Sequence, residues 1–196
     1  ATRERLISED PRSDEIIKPF LRGENLKKWR IESKNEYILL IKSGSTLRGG
    51  SEAQAWELFQ NKQPAIARWL KNFETAARKR SDKGEFWWEL RACAYYDKFE
   101  APKIIYPDLS QGSKFSLDEK SSFSTNTVYF ISNADYWTVA LLNSKAIWFY
   151  LRGICDAMRG GEWRLRLFSE NIERIPIPSA NETQKSQLAK LAKTAQ

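Results

Sequence analysis

An α+β fold is what this sequence predicts: mixed β-strands with a helical hairpin, a pair of apolar helices and a polar C-terminal helix. Three observations carry the prediction. Short aliphatic runs bounded by charged or turn residues recur at Tyr37–Ile41, Lys103–Tyr106 and Thr127–Ile131, as strands do. Apolar residues at three- and four-residue steps occupy 53–77 on either side of Pro64, and again 137–151 on either side of Asn143-Ser144. The strands and helices come in groups, which excludes regular βαβ alternation.

In chain order, residues 1–12 are charged and poor in apolar side chains, and the expectation is a frayed lead-in ending near residue 13. A short apolar element follows at Asp14–Phe20, then a turn at Arg22-Gly23 and a basic patch in which Lys27, Lys28 and Arg30 surround Trp29. Tyr37–Ile41 reads as a buried strand, and residues 43–51 (SGSTLRGGS) as a flexible loop with Arg48 at its middle. Ser51 is placed to cap a helix that lines up Ala53, Trp56 and Phe59. Pro64 suits the first turn of a second helix, which carries Ile66, Leu70, Phe73 and Ala77 and ends in the basic run Arg78–Lys83 before Gly84. A short helix over Arg91–Phe99 is expected to stop ahead of Ala101-Pro102. Strands are expected at Lys103–Tyr106, Lys114–Leu117 and Thr127–Ile131. Asp135 is a cap for a helix to Leu142, and a second apolar helix runs from Lys145 to Cys155. Arg164–Leu167 alternates in strand fashion, Ile175-Pro176-Ile177-Pro178 forces an extended stop, and Asn181–Gln196 reads as an amphipathic helix with Leu188 and Leu191 on one face.

Composition narrows the functions available. The chain has 41% hydrophobic residues, eight Trp and a net charge of +7, so a folded domain with a locally basic surface and an anionic partner is expected. Histidine is absent, which removes His-based acid–base catalysis, Ser-His-Asp triads and the usual zinc sites. Cys93 and Cys155 lie far apart in apolar surroundings and read as buried thiols of a reducing compartment. The most apolar stretch is too short and too polar to span a bilayer, and no signal peptide is evident, so a cytoplasmic protein with no membrane partner is expected. A start at Ala1 without Met reads as a piece of something longer.

One enzyme pattern is present. Pro107-Asp108 followed by Asp118-Glu119-Lys120 has the PD…(D/E)xK spacing of Mg²⁺-dependent nucleases, in which two carboxylates hold the metal and a lysine helps position water. The plainer reading is strand, turn, strand with solvated acids, and no catalytic residue or metal ligand is assigned. Neither Gly49-Gly50 nor Gly160-Gly161 has the strand-before, helix-after context of a nucleotide loop. Recognition remains. Arg48, Arg80, Lys83, Lys114, Arg159 and Arg164 sit in or beside Gly/Ser-rich loops and are the candidate DNA-binding residues. Arginine grips guanine bidentately, while lysine and backbone N–H groups seat phosphates; Lys42 and Arg166 are candidate phosphate contacts. Trp29, Trp87, Trp88 and Trp163 are candidates for base stacking, against the commoner fate of tryptophan as packing. A protein-interaction module is the alternative from outside nucleic-acid chemistry.

Six segments in order carry a resemblance: KPFLRGENLKKW, ARKRSDKGEFWWELR, KIIYPDLSQGSKFSLDE, NTVYFI, ALLNSKAIWFYL and RGGEWRLRLFSENIERIPIP. Over residues 14–178 the chain resembles the TaqI-like C-terminal target-recognition (specificity) domain of N6-adenine DNA methyltransferases and type IIG restriction–modification enzymes. The resemblance implies sequence-specific reading of double-stranded DNA by a fragment without catalysis or cofactor of its own. It implies an N-terminal methyltransferase domain on the same polypeptide, holding S-adenosylmethionine, in some members joined to an endonuclease. It recasts Tyr106-Pro107-Asp108 as a family strand end, and residues 179–196 as a helical tail or linker. It also divides the stretch from Met158 to Pro178, leaving Arg159 to Arg164 at the exposed edge and Arg166 in the common framework.

Overall fold

The computed structural model describes residues 1–158 and 163–196, and these form two compact units. The first comprises Ala1–Lys18 and Tyr37–Tyr96; the second comprises Pro19–Glu36 and Asp97–Gln196. Helices and several small sheets are mixed in the α+β manner expected. No helix among the described residues is long and apolar enough to cross a membrane.

The first unit begins with helix α1 (Thr2–Glu9), where the sequence suggested a frayed end. Two apolar side chains dock it: Leu6 is only 3% exposed in the core, Ile7 packs half-buried against it, and Glu9 pairs with Arg68 at 3.2 Å. Strand β1 (Ile17–Leu21) follows a 3₁₀ turn whose cap is Asp10. Strand β2 spans only Tyr37–Leu39 and is partly exposed; the buried residues of that run, Leu40 and Ile41, lie just after it. Helix α2 (Glu52–Lys62) starts at Ser51, whose hydroxyl accepts from the Gln54 N–H, and stops because Pro64 has no N–H to continue it. Helix α3 (Pro64–Lys71) and helix α4 (Glu74–Arg78) replace the single helix expected. The break falls where the Asn72 side-chain amide donates to the Trp69 carbonyl and leaves Phe73 exposed. The core gathers Leu6, Ile17, Ile41, Phe59 and Ile66 around Phe86, Trp87 and Trp88, with Trp56 half-buried against them. Trp87 and Trp88 are therefore packing and are not available for stacking on bases. Residues 91–95 are irregular where a helix was expected, and only Tyr96–Phe99 makes a 3₁₀ turn.

The second unit is built on strand β3 (Lys103–Pro107), every residue of which is buried. Strands β5 (Ser116–Asp118) and β7 (Val128–Ser132) flank it antiparallel, and the two-residue strands β4 (Leu109–Ser110) and β6 (Phe123–Ser124) belong to neighbouring pairings. Alternation explains the continuous apolar run of β3. Ile104 and Tyr106 face a core completed by helix α5 (Tyr136–Leu142) and helix α6 (Lys145–Ile154), while Ile105 faces Leu21, Leu26 and Val128. Burial drives the Tyr106 hydroxyl far above the usual tyrosine range. Between α5 and α6, the buried Asn143 side chain accepts from the Phe115 N–H and donates to its carbonyl, fixing the corner. Strands β8 (Ala157–Met158) and β9 (Arg164–Arg166) pair antiparallel, and β9 also pairs with β4. Helix α7 (Ser169–Ile172) leads to the extended proline segment.

Helix α8 (Glu182–Ala195) packs along α5 within the same unit, and not by the face the leucines suggested. Ala192 is the fully buried contact, Lys185 and Lys193 lay their stems toward Trp137 and Tyr136, and Leu191 stays exposed. The Gln196 amide then pairs with both backbone groups of Leu117, continuing the edge of β5. Cys93 and Cys155 are free and half-buried, and burial raises the Cys155 thiol pKa.

Candidate nucleic-acid interface

In the first unit, one carboxyl group organises the loop that carries Arg48. Glu89 has no exposed surface, and its two oxygens accept from the backbone N–H groups of Gly44 (3.0 Å), Thr46 (3.4 Å) and Phe86 (3.3 Å). Glu85 accepts from the Gly49 N–H, the Ser43 hydroxyl accepts from the Glu85 N–H, and the Trp88 indole donates to Thr46. The Ser/Gly loop is therefore tied at several points to the segment that follows Arg80. Gly44 sits at φ +70°, a conformation that favours glycine, and a Cβ there would lie 3.4 Å from Cγ of Arg48. Arg48 itself is exposed and forms no ion pair among the described residues.

Arg80 and Lys83 lie on the facing segment, so this unit brings them to the Arg48 loop. Both are partly engaged there. Arg80 donates to the Glu89 carbonyl at 2.7 Å and approaches Asp82, and Lys83 donates to the Arg80 carbonyl at 3.0 Å. Lys42 is half-buried with its ammonium 5.7 Å from the centre of the Tyr96 ring.

In the second unit, β9 presents Arg164 exposed, Leu165 buried and Arg166 half-buried. Arg166 stacks its guanidinium over Phe168 at 5.1 Å, and its Nε is buried without a hydrogen-bond partner, so it belongs to the framework side of the strand. Trp163, one residue before β9, is 78% exposed, in contrast to the buried Trp87 and Trp88; Trp29 is half-buried against the main core. The candidate Arg159 lies outside the described residues. Lys114 lines a groove of about 380 Å³ together with Lys28 and Lys145, neither of which the sequence singled out as a site. Their common signal is weak, since the three lysines are separated by dozens of residues. Glu89 was likewise missed, although an acid inside the apolar run FWWEL is a visible anomaly.

The nuclease pattern is not assembled as a metal site. Asp118 is 1% exposed, and its oxygens are taken by the Lys103 ammonium (2.6 Å), the Ser122 N–H and hydroxyl, and the Lys120 N–H. Glu119 accepts from the Tyr136 hydroxyl; burial first, and then this hydrogen bond, raises that tyrosine's pKa. Among the described residues, no group of three or more Asp, Glu, Cys or His side chains is placed to hold a metal ion.

The model of the TaqI-like C-terminal specificity domain matches residues 18–177. Among solved structures, the Type IIL restriction–modification enzyme MmeI in complex with DNA is similar in fold, with a TM-score of 0.59 and 16% identity over 96% of this chain. The chain spans about a quarter (24%) of that structure's chain. No curated protein sequence matches it.

Proposed function

Because the chain belongs to the family of TaqI-like C-terminal specificity domains, we propose that it is the DNA-reading module of a restriction–modification enzyme, recognising duplex DNA by sequence while catalysis resides elsewhere. The single observation that carries the reading beyond the family is the state of two arginines. Some surface cations here are matched to acids, as Arg22 is to Glu36, Lys34 to Glu24 and Lys71 to Glu74. Arg48 and Arg164 are exposed and without an acidic partner among the described residues, each beside structure that is firmly held: the Glu89-pinned loop and the buried Leu165 of β9. Guanidinium groups presented on a rigid support suit base edges in a major groove. Exposed Trp163 beside Arg164 adds an apolar surface for a base or sugar. The likeness to an enzyme solved with DNA supports the same reading.

The parent we propose is a site-specific N6-adenine DNA methyltransferase, with or without an endonuclease on the same polypeptide. Its S-adenosylmethionine belongs to a methyltransferase domain N-terminal to this one, and the two domains clasp the duplex between them.

The test is selection of bound duplexes from a randomised library by the purified chain. Enrichment of a defined motif is expected, with log K falling by about 0.9 per contacted phosphate for each unit of log salt concentration. Arg164→Ala or Arg48→Ala is expected to relax the motif at one base pair, a loss of discrimination of roughly 1–3 kcal/mol. Binding that enriches no motif and ignores salt would sink the reading and leave the protein-interaction alternative.

A further inference from the structure

Within the second unit, the groove around Lys114 differs in composition from the cavities around Arg22 and Phe59. Lys28, Lys114 and Lys145 all line it, and no Asp or Glu does. The cavity around Arg22 mixes that cation with Glu24 and Asp108, and the one beside Phe59 mixes Lys62 with Glu15. None of the three lysines forms an ion pair among the described residues; Lys28 lies 5.8 Å from the Trp29 ring centre. Three ammonium groups held about one concavity repel each other unless an anion is shared between them.

Two further observations point to the same ligand. The groove contains the start of α6, a ten-residue helix, where Ser144 caps only the Ile147 N–H and the positive end of the helix dipole adds to the lysines. In its wall stands Ser113, 6% exposed, whose hydroxyl has no hydrogen-bond partner, a buried donor left unmatched. Trp148 supplies an apolar wall against which a sugar can rest.

We infer that this groove is a seat for one backbone phosphate of the duplex, gripped by Lys28, Lys114 and Lys145 at the N-terminus of α6. The inference rests on the DNA-reading function proposed above and adds a positioning contact that carries no sequence information of its own.

The test measures duplex binding by the whole chain across a salt series, for the wild type, for the triple variant Lys28→Gln/Lys114→Gln/Lys145→Gln, and for Ser113→Ala. The triple variant is expected to bind more weakly on every duplex by the same factor, to keep the selected motif, and to show a salt slope shallower by about 0.9. Ser113→Ala is expected to weaken binding several-fold with no loss of thermal stability, since the hydroxyl makes no internal bond; a merely structural serine would shift the melt instead. A triple variant whose affinity and slope match the wild type overturns the seat and leaves DNA reading intact. A variant that loses the motif without the slope change also overturns it, because the lysines would then be reading bases. A wild-type chain that binds no duplex overturns both proposals.

Discussion

A carboxylate placed in the middle of Phe86-Trp87-Trp88-Glu89-Leu90 faces a desolvation cost of several kcal/mol, and Glu89 offsets it with three backbone N–H bonds drawn from two segments. The same bonds hold the loop beneath Arg48, so the cost of burying the acid becomes rigidity in the recognition loop. Glu89→Ala would leave three N–H groups unmatched, the Phe86 group buried and the Gly44 and Thr46 groups part-buried, at about 1–3 kcal/mol for each one kept from water. The expected outcome is a fall in unfolding free energy of at least about 1 kcal/mol in urea titration. Hydrogen exchange at the Gly44 and Thr46 amides should accelerate before global unfolding does. If those amides stay protected in the variant, Glu89 is not what holds the loop. The arginine and the glycines were legible in the sequence; the acid that fixes them was not, because two of its three partners lie more than forty residues away and all three are backbone groups with no sequence signature.

Strand β3 shows what an element needs in order to be apolar throughout. Its two faces meet different cores, and the one charged side chain in it, Lys103, stands directly opposite Asp118 in the β3–β5 register. Both side chains are 1% exposed and 2.6 Å apart. Lys103 also donates to the Phe99 carbonyl, and Asp118 takes two further bonds from Ser122, so the pair is nearly saturated. Removing one member strands the other: Lys103→Met is expected to cost about 3–5 kcal/mol, whereas Lys103→Met/Asp118→Leu is expected to recover most of that loss. Chemical denaturation of the two singles and the double closes the cycle, and a cost below about 1 kcal/mol for either single would show the pair to be dispensable. Here residue spacing alone was misleading. Asp118 completed a nuclease pattern by spacing, and its strand partner assigned it to packing instead.

At the scale of the molecule, charge is partly paired with acids and partly not. Part of the net +7 surface is tied up in ion pairs, such as Arg22–Glu36 and Lys34–Glu24, while Arg48, Arg164 and the three lysines of the groove have none among the described residues. The absence of histidine also shapes the response to pH. The carboxyl groups with perturbed pKa values are held low by cations: Asp10 first by its hydrogen bond from Arg12, Glu24 by that from Lys34, and Glu74 by those from Lys71 and Arg78. A carboxyl whose folded pKa is depressed contributes stability above its unfolded pKa, about 4, and loses it as pH falls through the folded value. Stability is therefore expected to be flat between about pH 5.5 and 7, where no side chain ordinarily titrates, and to fall only on the acid side. Thermal melts across pH 3–7 check this, with Asp10→Asn flattening part of the acid limb; a transition centred near pH 6.5, the usual histidine value, would contradict it.

The α+β class, the caps at Ser51 and Asp135, the helix break at Asn143-Ser144, the proline break between α2 and α3 and the loop arginines were all determined by the sequence alone. These are consequences of local chemistry, since a cap bonds three residues away and a proline acts on its own turn. The two-residue strands, the true contact face of α8, the role of Glu89, the Lys103–Asp118 pair and the gathering of Lys28, Lys114 and Lys145 were decided only by the tertiary structure. Each joins residues distant along the chain, and the energy that selects them comes from burial and register across elements, which no local pattern encodes.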